Sequence, residues 1–103
     1  MKTPAIILLS DAPIELARKI AALTGGALHG LKKRVTACDV QFDDAALHLR
    51  ALFSQSVPVI GLISSGALIR LLAPILDDKH TEPPVLAVAE DGSCVVPLLG
   101  GHH

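Results

Sequence analysis

At 103 residues the chain has room for one domain with one real core. Half of its residues are hydrophobic, yet only Phe42 and Phe53 are aromatic, so that core is aliphatic. Nine Lys and Arg against ten Asp and Glu give a net charge of −1; with no Trp, no Tyr and no basic stripe, the composition points away from nucleic-acid binding.

Pro4–Leu9 reads as a buried strand, short, apolar and bounded by polar residues. Its apolar run is too short for a secretory core, which needs about 7–15 residues. Ser10 or Asp11 is placed to cap a helix over Ala12–Thr24, with Glu15 in position for a capping box. Ile14, Ala17, Ile20 and Ala21 recur at helical spacing, and Gly25-Gly26 supplies a left-handed stop. Ala27–Gly30 is a short extended piece. The cluster Lys32-Lys33-Arg34 follows, either a solvated loop or a contact to an anionic ligand. Val35–Phe42 is β-compatible but irregular.

Asp43 is a good N-cap for a helix from Asp44 to Gln55, with an apolar face of Ala45, Leu47, Leu49, Leu52 and Phe53. Pro58–Ile63 is apolar throughout, as in a parallel strand covered on both faces. Ser64-Ser65-Gly66 forms the turn into a helix that runs to Leu76 with Pro74 in its last turn. The stretch Val57–Leu76 is long enough to raise a membrane span. Arg70 inside it would cost about 2.5–3.5 kcal/mol at a bilayer centre, and its Pro, Gly and Ser residues divide it into a strand and a helix. Asp77–Pro84 is a polar loop. Val85–Ala89 and Cys94–Leu99 are strands joined at Asp91-Gly92, a hairpin signal. This alternation implies an α/β three-layer sandwich with a mainly parallel sheet and a C-terminal β-hairpin.

Two turns draw chemical interest. Ser64-Ser65-Gly66 lies at the carboxyl end of a buried strand, where open α/β sheets bind ligands. The helix start offers unpaired N–H groups to a carboxylate or phosphate, and Gly66 lets a ligand approach the backbone. Ordinary capping by Ser64 or Ser65 explains the same residues. The turn is not a P-loop, because the Lys-Ser/Thr pair is missing. In Gly100-Gly101-His102-His103 a histidine can serve as a general base near neutral pH. The same four residues also read as a purification-tag remnant or a frayed end. No neighbouring ligand completes a metal site.

The other histidines, His29, His48 and His80, are scattered and read as surface or partly packed residues. Asp77-Asp78 and Glu90-Asp91 read as solvated turns. Cys38 and Cys94 fit no metal spacing and read as small hydrophobes; two thiols without a signal peptide fit a reduced cytoplasmic protein.

One long stretch carries a resemblance. Gly61-Leu62-Ile63-Ser64-Ser65-Gly66-Ala67-Leu68-Ile69-Arg70-Leu71-Leu72-Ala73-Pro74 is followed by Asp78-Lys79, Pro83-Pro84-Val85-Leu86-Ala87-Val88 and Glu90-Asp91-Gly92. It closes on Val96-Pro97-Leu98-Leu99-Gly100-Gly101-His102-His103. Residues 57–103 together resemble the N-terminal domain of the cobalamin-biosynthesis G-type family, the cobalt-precorrin-5A hydrolases. The N-terminal half is similar only in its pattern of elements.

The resemblance implies a tetrapyrrole (precorrin) substrate, a δ-lactone opened by hydrolysis and a two-carbon fragment released as acetaldehyde. It implies no cofactor in this domain, with cobalt present only as part of the substrate. By chemistry and motif position, and not by any assignment carried over from the family, Ser64, Ser65, Gly66, Gly100 and Gly101 are expected to line the macrocycle or the oxyanion, and His102 or His103 to activate water. Family members continue past the two histidines, so the chain is expected to be an N-terminal fragment that lacks a C-terminal domain and is inactive alone. The rival reading is a non-catalytic docking domain attached to a precorrin-3B carbon-17 methyltransferase, which would bring S-adenosylmethionine. If the final strands form a tight hairpin, the Gly-Gly-His-His turn is expected at the opposite sheet edge from Ser64-Ser65-Gly66.

Overall fold

A computed structural model of the chain describes residues 2–73, 83–93 and 95–99. The strands are β1 (Ala5–Leu8), β2 (Ala27–Leu31), β3 (Val40–Phe42), β4 (Val59–Gly61), β5 (Val85–Val88) and β6 (Val95–Leu99). They form one sheet in the order β3-β2-β1-β4-β5-β6. All pairs are parallel except β5 with β6, which is antiparallel. The expected α/β sandwich with a C-terminal hairpin is therefore present.

Three helices, α1 (Ile14–Thr24), α2 (Ala45–Ser54) and α3 (Ser65–Leu72), cover the sheet among the described residues. Their sides follow from the direction of travel. From β1 to β2 the chain moves one way along the sheet, and from β3 to β4 and on to β5 it moves the other way. Right-handed crossovers then place α1 on one face and α2 with α3 on the other. Strand periodicity feeds both faces from β1 alone. Ala5 and Ile7 join Leu49, Leu52, Leu68 and Leu72 beneath α2 and α3. Ile6 and Leu8 join Ala17, Leu28 and Leu62 on the side of α1. All four β1 residues are buried, which explains its unbroken apolar run.

The crossover from β2 to β3 is a loop rather than a helix. Val35, only 3% exposed, takes the place of a helix's apolar face on the α1 side. Gly30 makes the space for it. A Cβ at Gly30 would lie 2.6 Å from the Val35 Cβ and 3.0 Å from the Cys38 Sγ.

Several boundaries differ from expectation. α1 begins at Ile14 with Pro13 as N-cap and no side-chain cap, so the proposed Asp11 capping box does not form. Asp11 instead accepts a hydrogen bond from the Thr36 N–H at 2.9 Å. The left-handed stop is present: Gly25 has φ 75° and its N–H donates to the Ala21 carbonyl. α2 is capped by Asp44, not Asp43; the Asp44 carboxylate accepts from the Leu47 N–H at 3.1 Å. Leu47 faces solvent at 60% exposure and leaves the expected apolar face, because α2 buries Leu49 and Leu52 instead. β4 is shorter than Pro58–Ile63, although Leu62 and Ile63 stay buried beyond its end. The expected extension of α3 to Leu76, Pro74 within it and most of the polar loop before Pro84 lie outside the described residues. No helix among the described residues is long and apolar enough to cross a membrane.

Candidate functional site

The strand order reverses between β1 and β4, so their carboxyl ends flank the topological switch point where open α/β sheets hold ligands. The strand registers give this edge a common level. Leu8 pairs with Gly30, Ile7 with Gly61, Leu31 with Phe42 and Gly61 with Ala87. Just past the paired residues the five strands lead into Asp43, Lys32, Ser10, Ser64 and Glu90, which all leave this same edge. At ordinary strand spacing this row runs about 19 Å along the edge.

Ser64-Ser65-Gly66 stands in that row on the β4 side of the switch point. Ser64 is the N-cap of α3, with φ −61° and ψ 145°, and its Oγ accepts from the Ala67 N–H at 3.2 Å. Capping uses one lone pair and leaves the hydroxyl proton free to donate. Gly66 sits in the first turn of α3, and a Cβ added there would meet no described atom within 4 Å. Packing among the described residues gives no reason for glycine at a helical position, where glycine costs roughly 0.5–1 kcal/mol relative to alanine.

An open cleft of about 470 Å³ lies beside Ser64 and is lined also by Ile63, Ala89, Glu90, Asp91 and Ser93. The hairpin turn builds its far wall. Gly92 takes φ 78° and its N–H reaches the Ala89 carbonyl at 2.8 Å. The Asp91 carboxylate accepts from the Ser93 N–H at 2.8 Å. Hydrogen bonds from the Ser93 hydroxyl and N–H hold the exposed Asp91 carboxyl below its ordinary pKa. Glu90 and Asp91 are solvated turn residues, as expected, and they line the β5 end of the cleft with carboxylates.

The second half of the expected site cannot be placed. Gly100, Gly101, His102 and His103 lie outside the described residues, as do His80 and Cys94. β6 ends at Leu99, which pairs with Val85 at the amino edge of the parallel strands. The last described residue before Gly100 is therefore at the opposite end of the sheet from Ser64. Cys38 packs beside Val35 and Leu28 as a small hydrophobe. Among the described residues no three His, Cys, Asp or Glu side chains converge as a metal site.

One feature escaped the sequence. His29 on β2 and His48 on α2 meet with Nδ1 and Nε2 2.7 Å apart. The His48 ring stacks on Phe42 at 4.6 Å between centroids. Burial lowers the His29 pKa, with a further push from His48 and an opposing pull from Asp39; burial lowers that of His48 as well. A second cleft, about 400 Å³, opens at the amino edge between His29, Ala5, Leu52 and Val57. No local signal marks the pair, since one member comes from a strand and the other from a helix on a different crossover.

Comparison with known proteins bears on the whole of this edge. Residues 47–103 match the family described as Cobalamin synthesis G N-terminal. A cobalt-precorrin-5A hydrolase of Priestia megaterium is 43% identical over 54 residues, covering 52% of this chain and 14% of that protein. A cobalt-precorrin-5A hydrolase of Salmonella typhimurium (strain LT2) is 29% identical over 99 residues, covering 95% of this chain and 28% of that protein. A crystal structure of a cobalamin biosynthesis protein G homolog from Sulfolobus solfataricus superposes with a TM-score of 0.64 over 96% of this chain and 29% of that one. At 14% identity it shares the fold.

Proposed function

The chain belongs to the cobalamin synthesis G N-terminal family, and from that premise we propose that it is the N-terminal domain of a cobalt-precorrin-5A hydrolase. It spans only 14% and 28% of the two hydrolases it resembles, so the activity is that of a longer protein. The observation that carries the reading is the match over residues 47–103, which takes in β4, the Ser64-Ser65-Gly66 turn, α3 and the terminal Gly-Gly-His-His.

In the proposed reaction water adds to the carbonyl carbon of the δ-lactone. The ring C–O bond then breaks, leaving a carboxylate and an alcohol. The two-carbon fragment departs as acetaldehyde only when the carbon–carbon bond from the alcohol carbon to the macrocycle also breaks, the alcohol losing its proton as the carbonyl forms and the macrocycle carbon taking one up. His102 or His103 removes the proton from the attacking water. In this proposal the start of α3 faces the developing oxyanion, with Ser64, Ser65 and Gly66 along the substrate. Leu99 pairs at the opposite edge of the sheet, so a role for Gly100, Gly101 and the two histidines at the same carbonyl requires the chain after Leu99 to return towards α3. Free N–H groups at a helix start suit that charge. The domain needs no cofactor of its own, cobalt arrives within the substrate, and the cytoplasm is the expected compartment.

The test is lactone opening by the complete protein with His102 and His103 both replaced by alanine. Loss of a general base should slow turnover by about 10²-fold or more. Unchanged turnover removes both histidines from catalysis. Gly66→Ala sharpens the test: it should stabilise α3 by about 0.5–1 kcal/mol while weakening substrate binding, because the methyl group stands where the ligand approaches. Full turnover by the remainder of the protein without residues 1–103 would favour the docking-domain reading over a catalytic one.

A further inference from the structure

We propose that Lys32, Lys33 and Arg34 form a fixed cationic rim that takes the carboxylate side chains of the ligand. The rim lies across the switch point from the Ser64 cleft. The inference deepens the tetrapyrrole reading and rests on it for the class of ligand.

Placement is the first argument. β2 and β4 pair with β1 on its two sides, about 10 Å apart at ordinary strand spacing, so the turn that begins at Lys32 and the turn at Ser64 leave the same edge of the sheet with only β1 between their strands. A macrocycle lying over the switch point reaches both. Charge is the second argument. The β5 end of the edge carries Glu90 and Asp91 around the cleft, which repels carboxylates. The β2 end carries three consecutive cations, all exposed. Asp43, next along the edge, offsets part of this charge at Lys32, and the net opposition across the switch point gives an anionic ligand a preferred orientation.

The third argument is that the loop is held, not loose. Val35 anchors it in the core against Gly30. The N–H groups of Arg34 and Val35 both donate to the Leu31 carbonyl at 3.0 Å. Thr36 is tied to Asp11 beside the switch point. Asp39 closes the far end twice, its carboxylate accepting from the Leu28 N–H and its own N–H donating to the Leu28 carbonyl. Lys33 is held at φ 70°, a left-handed conformation that a lysine adopts only when its surroundings enforce it. The backbone that carries the cations is thus set before a ligand arrives, and less loop freedom is lost on binding. Only Lys32 has an ion-pair partner among the described residues, an exposed contact to Asp43 at 3.9 Å.

The experiment titrates the complete protein with uroporphyrin, a tetrapyrrole whose peripheral side chains are all carboxylates, and with its uncharged, fully esterified form. Replacing the three residues together by glutamine should weaken uroporphyrin binding about ten-fold and flatten its dependence on ionic strength. Binding of the ester should not change, and Lys33→Arg should bind uroporphyrin like the wild type. Equal uroporphyrin affinity in the triple variant overturns the proposal. So does a parallel loss of ester binding, which would mark a change of shape instead of charge. Failure of the wild type to bind uroporphyrin also overturns the rim, while the lactone-opening assay decides the hydrolase reading separately.

Discussion

The carboxyl edge of the sheet presents its polar residues in exposed turns, one turn to a strand, whereas His29 and His48 meet half-buried on the face of the sheet beneath α2. At the edge each group is fixed by its own short loop: Ser64 by the start of α3, Asp91 by Ser93, the cations by the anchored turn after β2. Little of the fold's stability depends on them, and they remain open to a ligand. The histidine pair is the reverse. It joins α2 to β2, touches Phe42, and is bound to the packing of the sheet. The difference suits the edge to the binding proposed for it and ties the histidine pair to pH-sensitive stability.

The largest effect is expected where the two regions meet. Gly30 follows His29 in β2 and lies directly under the cationic loop. In Gly30→Ala the new methyl carbon would stand 2.6 Å from the Val35 Cβ, which is attached to backbone and cannot turn aside. The loop must move, at a cost of about 1–3 kcal/mol, the usual range for overpacking. The urea midpoint should fall and uroporphyrin affinity should fall with it. Lower stability with unaltered affinity would separate the loop's conformation from binding and break the link between the two regions.

That contrast also explains what could be read from the residues alone. The Ser64 turn, the Gly25 stop and the Asp91-Gly92 hairpin are local: a few adjacent residues state the backbone they need. β1 and β4 declare themselves by unbroken apolar runs, and the alternation of elements gives the parallel sheet. The histidine pair depends on which strand lies beside which and on the face that each crossover helix takes, so no spacing in the chain announces it. The caps show the same limit on a smaller scale. Asp11 and Asp43 are both plausible caps by type, yet Asp11 accepts from the Thr36 N–H instead, and Asp44, one residue on, takes the extended backbone and the capping bond at the start of α2. The edge row of Asp43, Lys32, Ser10, Ser64 and Glu90 emerges only once the registers are known.

A smaller effect should appear on acidification. The neutral pair shares one proton between facing nitrogens, and two charged rings 2.7 Å apart would repel. Both pKa values lie below the ordinary 6.5, chiefly through burial. The unfolded chain therefore binds protons at a higher pH than the folded one does. The stabilisation is fully present above 6.5 and is lost as pH falls from 6.5 through the lowered folded values. Asp39 opposes part of this at His29. Urea midpoints measured at fixed ionic strength from about pH 8 to 5 should decline below the ordinary histidine pKa. In His48→Phe, which keeps an aromatic ring on Phe42, the decline should be shallower. An identical slope in that variant would show that the pair does not carry the pH dependence.

The smallest effect on stability, and the most specific to the edge, is expected at Asp43. Its carboxylate faces Lys32 across 3.9 Å with both side chains largely in solvent. A pair of that kind is worth about 0.2–1 kcal/mol at most. The cap of α2 is Asp44, so Asp43→Ala removes no capping hydrogen bond and should shift stability by less than about 0.5 kcal/mol. Asp44→Ala should cost about 1 kcal/mol, the usual price of a lost cap. At the edge the ranking inverts. Removing Asp43 leaves Lys32 without its competing anion and should tighten uroporphyrin binding by about two-fold, an effect abolished at high salt. Asp44→Ala should leave that affinity unchanged. A cap-sized stability loss in Asp43→Ala, or a gain of affinity in Asp44→Ala instead, would mean that the division between structural and ligand-facing carboxylates at the start of α2 is drawn in the wrong place.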